Sequence, residues 1–277
     1  MILLKTFGIL LLVYGVLVLM AAGCQWKMIY FPSHGSEKRL LEEAQAKGME
    51  PWRNGNGDLI GWKSPLPQSK DDINSIVVFH GNAGYALHRD YFVEGFSAVK
   101  GSAPWIVYIF EYPGYGARPG RPSEKNFKAA AEEAVTDLFS DKDRLYLVGE
   151  SIGTGVASHL AQRFPERIDG LLLITPFTSL ADVGKKHYPI LPIETLLRER
   201  YDNLTALKDY SGPVAVLIAG ADEIIPVSLG RRLYDAYSGP KAIWIQEGRG
   251  HNSLNYDPEA SWWKEVINFL QNPDKGE

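Results

Sequence analysis

The sequence holds little that would staple a fold or load it with metal. Cys24 is the single cysteine in 277 residues, which excludes an internal disulfide and any Cys-based zinc cluster. Neither sign of charge dominates, with 29 Lys and Arg against 33 Asp and Glu and a formal net charge of −4. No basic block occurs, so nothing points to a nucleic-acid partner. A Gly-x-x-x-x-Gly-Lys-Ser/Thr phosphate loop and a His-Glu-x-x-His metal helix are both missing. Beyond Lys27 there is no repeat and no low-complexity tract. No metal or organic cofactor is implied.

What remains is ordinary globular composition, 45% hydrophobic and 22% charged, in a chain long enough to bury one large core. The N-terminus differs in kind. Phe7 to Gly23 (FGILLLVYGVLVLMAAG) is uncharged and apolar, with Lys5 before it and Lys27 after it. At about 1.5 Å per helical residue it is just long enough to cross a hydrocarbon core of about 30 Å. The run also suits the apolar region of a secretory signal. Met20-Ala21-Ala22-Gly23-Cys24 resembles a bacterial lipoprotein processing site, with Ala21 where leucine is commoner. A buried core helix is the remaining alternative, disfavoured because the run has no polar face. Residues 1–27 are therefore set apart as a membrane anchor or lipoprotein-type signal, and residues 28–277 form the expected catalytic domain. The membrane tie is either residues 7–23 or a lipidated Cys24, with the body on the extracytoplasmic face.

Along the rest of the chain, apolar β-branched runs alternate with amphipathic stretches. That pattern predicts an α/β fold, a mostly parallel sheet with helices on both faces. Strands are expected at Ile76–Phe79, Trp105–Phe110, Leu145–Val148, Leu171–Thr175, Val214–Ile218 and Ala242–Ile245. Across Ser123–Ser140, Phe127, Ala131, Ala134, Val135 and Leu138 share one helical face, with Ser123 as N-cap. Asp257-Pro258-Glu259 has the residues of a helix start, and its helix would carry Trp262, Val266, Phe269 and Leu270 on its apolar face. Pro176 to Pro213 is too long for an ordinary connection. It contains Tyr188-Pro189, Leu191-Pro192 and a helical piece around Glu194–Tyr201, and reads as a small cap beside a site. A surface excursion without a role is the bland alternative.

Chemistry concentrates at Leu145–Leu160 (LYLVGESIGTGVASHL). Ser151 follows a strand and opens a helix, flanked by Gly149 and Gly153, as a nucleophile elbow requires. Glycines there let strand and helix pack closely while the serine hydroxyl stands clear. A serine is a poor nucleophile alone, so a base must take its proton and a carboxylate must orient the base. Of the 6 histidines, His251 lies in Gly248-Arg249-Gly250-His251-Asn252, directly after the last strand, where ligands bind in open α/β sheets. His159 lies two turns along the helix that Ser151 opens and cannot reach back. His34, His88 and His187 sit near element ends or in the cap, where a histidine is usually a surface residue. Asp222 is the first acid after the strand Val214–Ile218, with Glu223 as the neighbouring alternative. Backbone N–H groups of Ile152 and of Asn82, in His80-Gly81-Asn82-Ala83-Gly84, are placed to form an oxyanion hole. His80 is expected to hold that loop.

The segments HGNAG, EYPGYG, GESIGTG, PFTSL, GADEIIP and GRGHN, in this order, resemble the α/β-hydrolase superfamily. Within it they are similar to the membrane-anchored branch of Bem46, ABHD13 and ABHD17 type, and the MIYFPS that follows the apolar run fits that branch. The resemblance spans about Tyr30 to Leu270. It implies a Ser151–Asp222–His251 triad and cleavage of esters, thioesters or amides. Glu111 departs from the pattern, standing where aspartate is more usual. The leading expectation is a serine hydrolase acting on lipid-like acyl esters near a membrane, with Tyr188, Leu191, Leu196 and Leu197 contacting the acyl chain. Two alternatives stay open: a serine peptidase of the prolyl or aminopeptidase type, and a non-catalytic membrane-tethered scaffold.

Overall fold

The structure, a computed structural model, describes residues 2–67, 73–99, 103–139 and 144–273. Eight strands form one sheet: β1 Glu50–Arg53, β2 Leu59–Lys63, β3 Asn74–Phe79, β4 Trp105–Phe110, β5 Arg144–Glu150, β6 Gly170–Ile174, β7 Val214–Ala219 and β8 Lys241–Gln246. Their spatial order is β8-β7-β6-β5-β3-β4-β2-β1. Strands β3 to β8 pair in parallel, while β2 runs antiparallel to β4 and β1 antiparallel to β2.

All six expected strands are present, because a parallel strand covered on both faces is a continuous apolar run and easy to read. Sequence reading missed β1 and β2. Both are short, β1 at the sheet's edge and β2 just inside it, they are interrupted by Pro51 and Gly61, and they pair with a register irregularity between Trp52 and Arg53.

Alternate residues of each strand feed two separate cores. Val77, Phe79, Leu147, Leu173 and Val216 face one way. They pack against α4 (Glu124–Thr136), α5 (Gly153–Arg163) and α9 (Val227–Ala236). Ile76, Val78, Val148, Leu172 and Leu217 face the other way. There they meet α2 (Glu37–Ala46), α3 (Tyr91–Ala98) and α10 (Ser261–Gln271). The period-2 geometry of strands produces this two-sided burial.

Ser123 caps α4 as expected, its hydroxyl accepting from Asn126 N at 3.1 Å. Helical geometry stops at Thr136, and Ser140 lies outside the described residues. The last helix does not start at Asp257. Its carboxylate accepts from Glu259 N at 2.9 Å, two residues on, which closes a turn rather than a helix. α10 begins at Ser261.

The insertion between β6 and β7 holds three short helices: α6 (Leu180–His187), α7 (Ile193–Leu196) and α8 (Asn203–Ala206). The helix expected around Glu194–Tyr201 is confined to one turn. Beyond it the backbone finds partners elsewhere. Tyr201 N donates to Glu124 Oε1 at 2.9 Å, and Leu180 N donates to Arg200 O at 2.9 Å. Those bonds to α4 and α6 replace the intrahelical ladder.

At the other end, α1 runs unbroken from Ile2 to Ile29. The boundary expected at residue 27 falls inside it. Its half-buried positions, among them Gly15, Val18, Ala22, Gln25 and Ile29, recur at helical spacing, whereas residues 3 to 14 are exposed.

Candidate active site

Three strand ends carry the site. At the end of β5, Ser151 has φ +53°, in the left-handed region that a β-carbon disfavours. The turn is locked from both sides. Ser151 N donates to Ile174 O at 2.9 Å, and Ser151 O accepts from Thr154 N at 3.0 Å and Thr154 Oγ1 at 2.6 Å. A β-carbon on Gly149 would lie 2.5 Å from Thr154 Cα, and one on Gly153 would collide with the Phe79 carbonyl. The two flanking glycines are thus required by close approach. Strain of this kind persists only where surroundings fix it, and it tends to mark functional positions.

After β7, Asp222 turns back on its own loop. Its Oδ1 accepts from Ile224 N at 2.9 Å and Ile225 N at 2.7 Å. That leaves Oδ2 for His251 Nδ1, at 2.7 Å. After β8, the loop carrying His251 is tied to the Asp222 loop by Ala221 N donating to Arg249 O at 2.8 Å. His251 Nε2 then stands 3.2 Å from Ser151 Oγ. The structure brings together the three side chains that the sequence singled out. Glu223 lines the neighbouring cavity, and Asp222, not Glu223, bonds the imidazole.

With Nδ1 donating to a carboxylate, Nε2 is the acceptor tautomer facing the hydroxyl. The arrangement can take a proton from Ser151 as its oxygen attacks and hold the resulting imidazolium against Asp222.

Asn82 and Ile152 both line the cavity beside Ser151. Asn82 is fixed on three sides. Its carbonyl accepts from Phe31 N at 2.9 Å and Tyr115 Oη at 2.7 Å, and its side chain donates to Ile29 O at 2.7 Å. His80 is fully buried, Nδ1 against Gly81 O at 2.7 Å and Nε2 3.6 Å from Glu111 Oε1. Glu111 in turn accepts from Ala86 N at 3.2 Å, so this carboxylate serves the turn after the loop rather than the reacting atoms.

The cavity measures about 550 Å³ and is mostly apolar. Tyr188, Leu191, Leu196 and Leu197 all contribute to its wall. Three features of it escaped the sequence. His187, exposed as expected, also lines it and donates from Nε2 to Ile224 O at 2.7 Å, joining the cap to the Asp222 loop. Ala21, Gln25 and Met28 of α1 line it too. Finally, Arg89 and Glu150 form an ion pair at 2.7 Å on its floor. Burial would raise the Glu150 carboxyl, but the Arg89 guanidinium and a bond from Gly81 N more than offset it and hold it below the usual range. The same pair keeps the Arg89 guanidinium charged despite its burial. Glu150 sits at a free position of the Gly-x-Ser-x-Gly pattern and Arg89 lies far off in sequence, so spacing could not have revealed them.

The fold and these strand-end loops define a class, the α/β hydrolases, and comparison with known proteins agrees. A family model of the α/β-hydrolase fold matches residues 74–208. An uncharacterized protein of Mycobacterium tuberculosis is 37% identical over 242 residues, 85% of this chain and 82% of its own. The lysophosphatidylserine lipase ABHD12 of Danio rerio is 30% identical over 211 residues, 69% of this chain and 54% of the lipase. The chain thus matches about half of that relative. A membrane protein of Saccharomyces cerevisiae is 29% identical over 222 residues, 76% of this chain and 75% of its own. Among solved structures, the Pyrococcus furiosus esterase PF2001 superposes with a TM-score of 0.60 at 16% identity, covering 88% of this chain and 97% of the esterase, a likeness of fold. The chain belongs to the α/β-hydrolase superfamily, and it is a hydrolase.

Proposed function

We propose that the protein is a membrane-associated serine hydrolase that cleaves acyl esters of lipid-like substrates through Ser151, His251 and Asp222. The observation that carries this reading is the relay of 3.2 Å and 2.7 Å from Ser151 through His251 to Asp222, opening into an apolar cavity. In the first half-reaction, Ser151 Oγ bonds to the acyl carbon while its proton passes to His251 Nε2. The carbonyl oxygen takes negative charge, met by the N–H groups of Asn82 and Ile152. Collapse breaks the acyl–oxygen bond, and His251 gives its proton to the departing alcohol. Water then repeats the sequence on the acyl-enzyme. It loses a proton to His251 and releases the carboxylate, and Ser151 recovers its proton.

Two further observations support the lipid-like substrate and the membrane setting. The cap supplies Leu191, Leu196 and Leu197 to the cavity. The N-terminal helix, Leu3–Ile29, is long and apolar enough to cross a membrane. Each methylene moved from water into such a wall contributes about 0.8 kcal/mol, so a few carbons decide selectivity.

The reading is tested by fluorophosphonate labelling together with a panel of acyl esters of graded length, thioesters and aminoacyl amides. Labelling that Ser151→Ala abolishes, with turnover rising from acetyl to octanoyl esters, is the expected result. Labelling that survives Ser151→Ala would reject the nucleophile, and turnover confined to aminoacyl amides would reject the lipid substrate.

A further inference from the structure

The N-terminal helix of a tethered enzyme needs no contact with its active site, yet α1 has several. Ala21, Gln25 and Met28 stand four and three residues apart, on one helical face, and that face closes one side of the cavity containing Ser151. The opposite face stays open, with Leu12 69% and Leu19 73% exposed.

The helix is clasped as well as packed. The Gln25 amide is bonded to the cap at both ends, Oε1 accepting from Arg198 N at 2.9 Å and Nε2 donating to Leu196 O at 3.2 Å. Higher up, Tyr14 Oη donates to Ile190 O at the tip of the cap, at 2.8 Å. At the lower end, the Ile29 carbonyl receives the Asn82 side chain at 2.7 Å, next to the nucleophile. α1 therefore runs along the cavity from the cap's tip to the loop beside Ser151.

We propose that the inner face of α1 is a wall of the acyl-binding chamber, that Ala21 and Met28 set the length of chain accepted, and that this chain enters from the membrane leaflet in which α1 is embedded. The inference rests on the acyl-esterase reading and adds to it the residues that fix chain length and the source of the substrate.

The geometry of insertion argues for the leaflet. The uncharged apolar run opens at Phe7, after Lys5, and reaches Tyr14 and its bond to the cap within about 12 Å at 1.5 Å per residue. A hydrocarbon core is about 30 Å thick. A membrane-crossing α1 therefore carries the cap's tip into the lipid beside it. The residues at that tip suit such a place: Ile190 is 73% exposed and Tyr188 44% exposed. A cavity bounded by α1 and by this part of the cap takes its occupant from the lipid phase.

The test uses the full chain in detergent micelles and p-nitrophenyl butanoate and dodecanoate. Ala21→Trp and Met28→Trp place bulk in the chamber, and Leu19→Trp places the same bulk on the outer face. For the two inner variants, kcat/KM on dodecanoate relative to butanoate should fall about tenfold or more. Fluorophosphonate labelling verifies that the inner variants fold, and Leu19→Trp should leave both the ratio and butanoate turnover unchanged. If either inner variant loses labelling, Ala21→Leu should give a smaller shift in the same direction. An unchanged ratio in both inner variants, an equal shift with Leu19→Trp, or a mature chain beginning at Cys24 would overturn the proposal. Failure of the parent reading shows separately, as absence of fluorophosphonate labelling in the unsubstituted protein, and would remove this inference with it.

Discussion

Asn82 donates its side-chain amide to the Ile29 carbonyl at 2.7 Å, so the loop beside Ser151 is held by the last turn of the N-terminal helix. The carbonyl of the same residue accepts from Phe31 N, and the two bonds clamp the chain leaving α1. Asn82→Ala keeps the backbone N–H but frees it to move. Steady-state kinetics on a short ester should show kcat reduced roughly tenfold, the worth of one hydrogen bond, with KM little changed. A raised KM at unchanged kcat would place Asn82 in substrate binding instead.

Asp222 and Glu223 separate cleanly. Asp222→Asn should leave the fold intact and favour the wrong imidazole tautomer, lowering turnover by up to about four orders of magnitude. Glu223→Gln lies beside the cavity but off the His251 bond, and should cost far less. Thermal melts of both variants verify folding, and their kcat values give the ranking. The reverse order would move the acid role to Glu223.

Glu150 makes stability depend on pH in a defined direction. Its carboxyl is held below its ordinary value in the fold, Arg89 outweighing burial. A carboxyl whose folded pKa is depressed contributes stability that is complete above its unfolded pKa, about 4.3, and is lost as pH falls through the lower folded value. Glu150→Gln leaves Arg89 buried without its partner and should destabilise by about 3 kcal/mol at pH 7. The gap between the melting temperatures of protein and variant should stay constant from pH 7 to about 5 and narrow below about 4. A gap that widens in acid would contradict the depressed carboxyl.

The tip of the cap should report its depth. Ile190→Trp puts a fluorophore at an exposed position, on the segment that Tyr14 bonds. Its emission, taken as the difference from the unsubstituted protein with its 7 tryptophans, should be blue-shifted relative to water and quenched in vesicles with brominated acyl chains relative to plain ones. An unquenched, solvent-like spectrum would place the cap outside the lipid and leave only α1 within it.

Much of this molecule is legible from residue order alone, for a local reason. Covered parallel strands are unbroken apolar runs, and an elbow serine needs glycines on both sides. Each leaves its mark within a few residues, as at Val214–Ile218 or Gly149–Gly153. Ser151, Asp222 and His251 could be singled out because strand ends in an open α/β sheet place their loops together, so position along the chain stands in for position in space. Short pieces were less legible. Strands β1 and β2 carry too few residues for periodicity, and Asp257 offers its carboxylate equally well to a turn and to a helix.

Other relationships exist only in the folded chain. Tyr14 lies 176 residues from Ile190, Gln25 lies 171 from Leu196, and Arg89 lies 61 from Glu150. No spacing rule joins such pairs, because what brings them together is the packing of whole elements. Read as sequence, Phe7–Gly23 is an apolar run without a polar face. Folded, its C-terminal part gains an inner face because the cap lies against it. Local chemistry in the sequence singled out Ser151, His251 and the sheet that holds them. Tertiary packing alone decided that α1 walls the cavity, since a helix acquires an inside only when something is placed beside it.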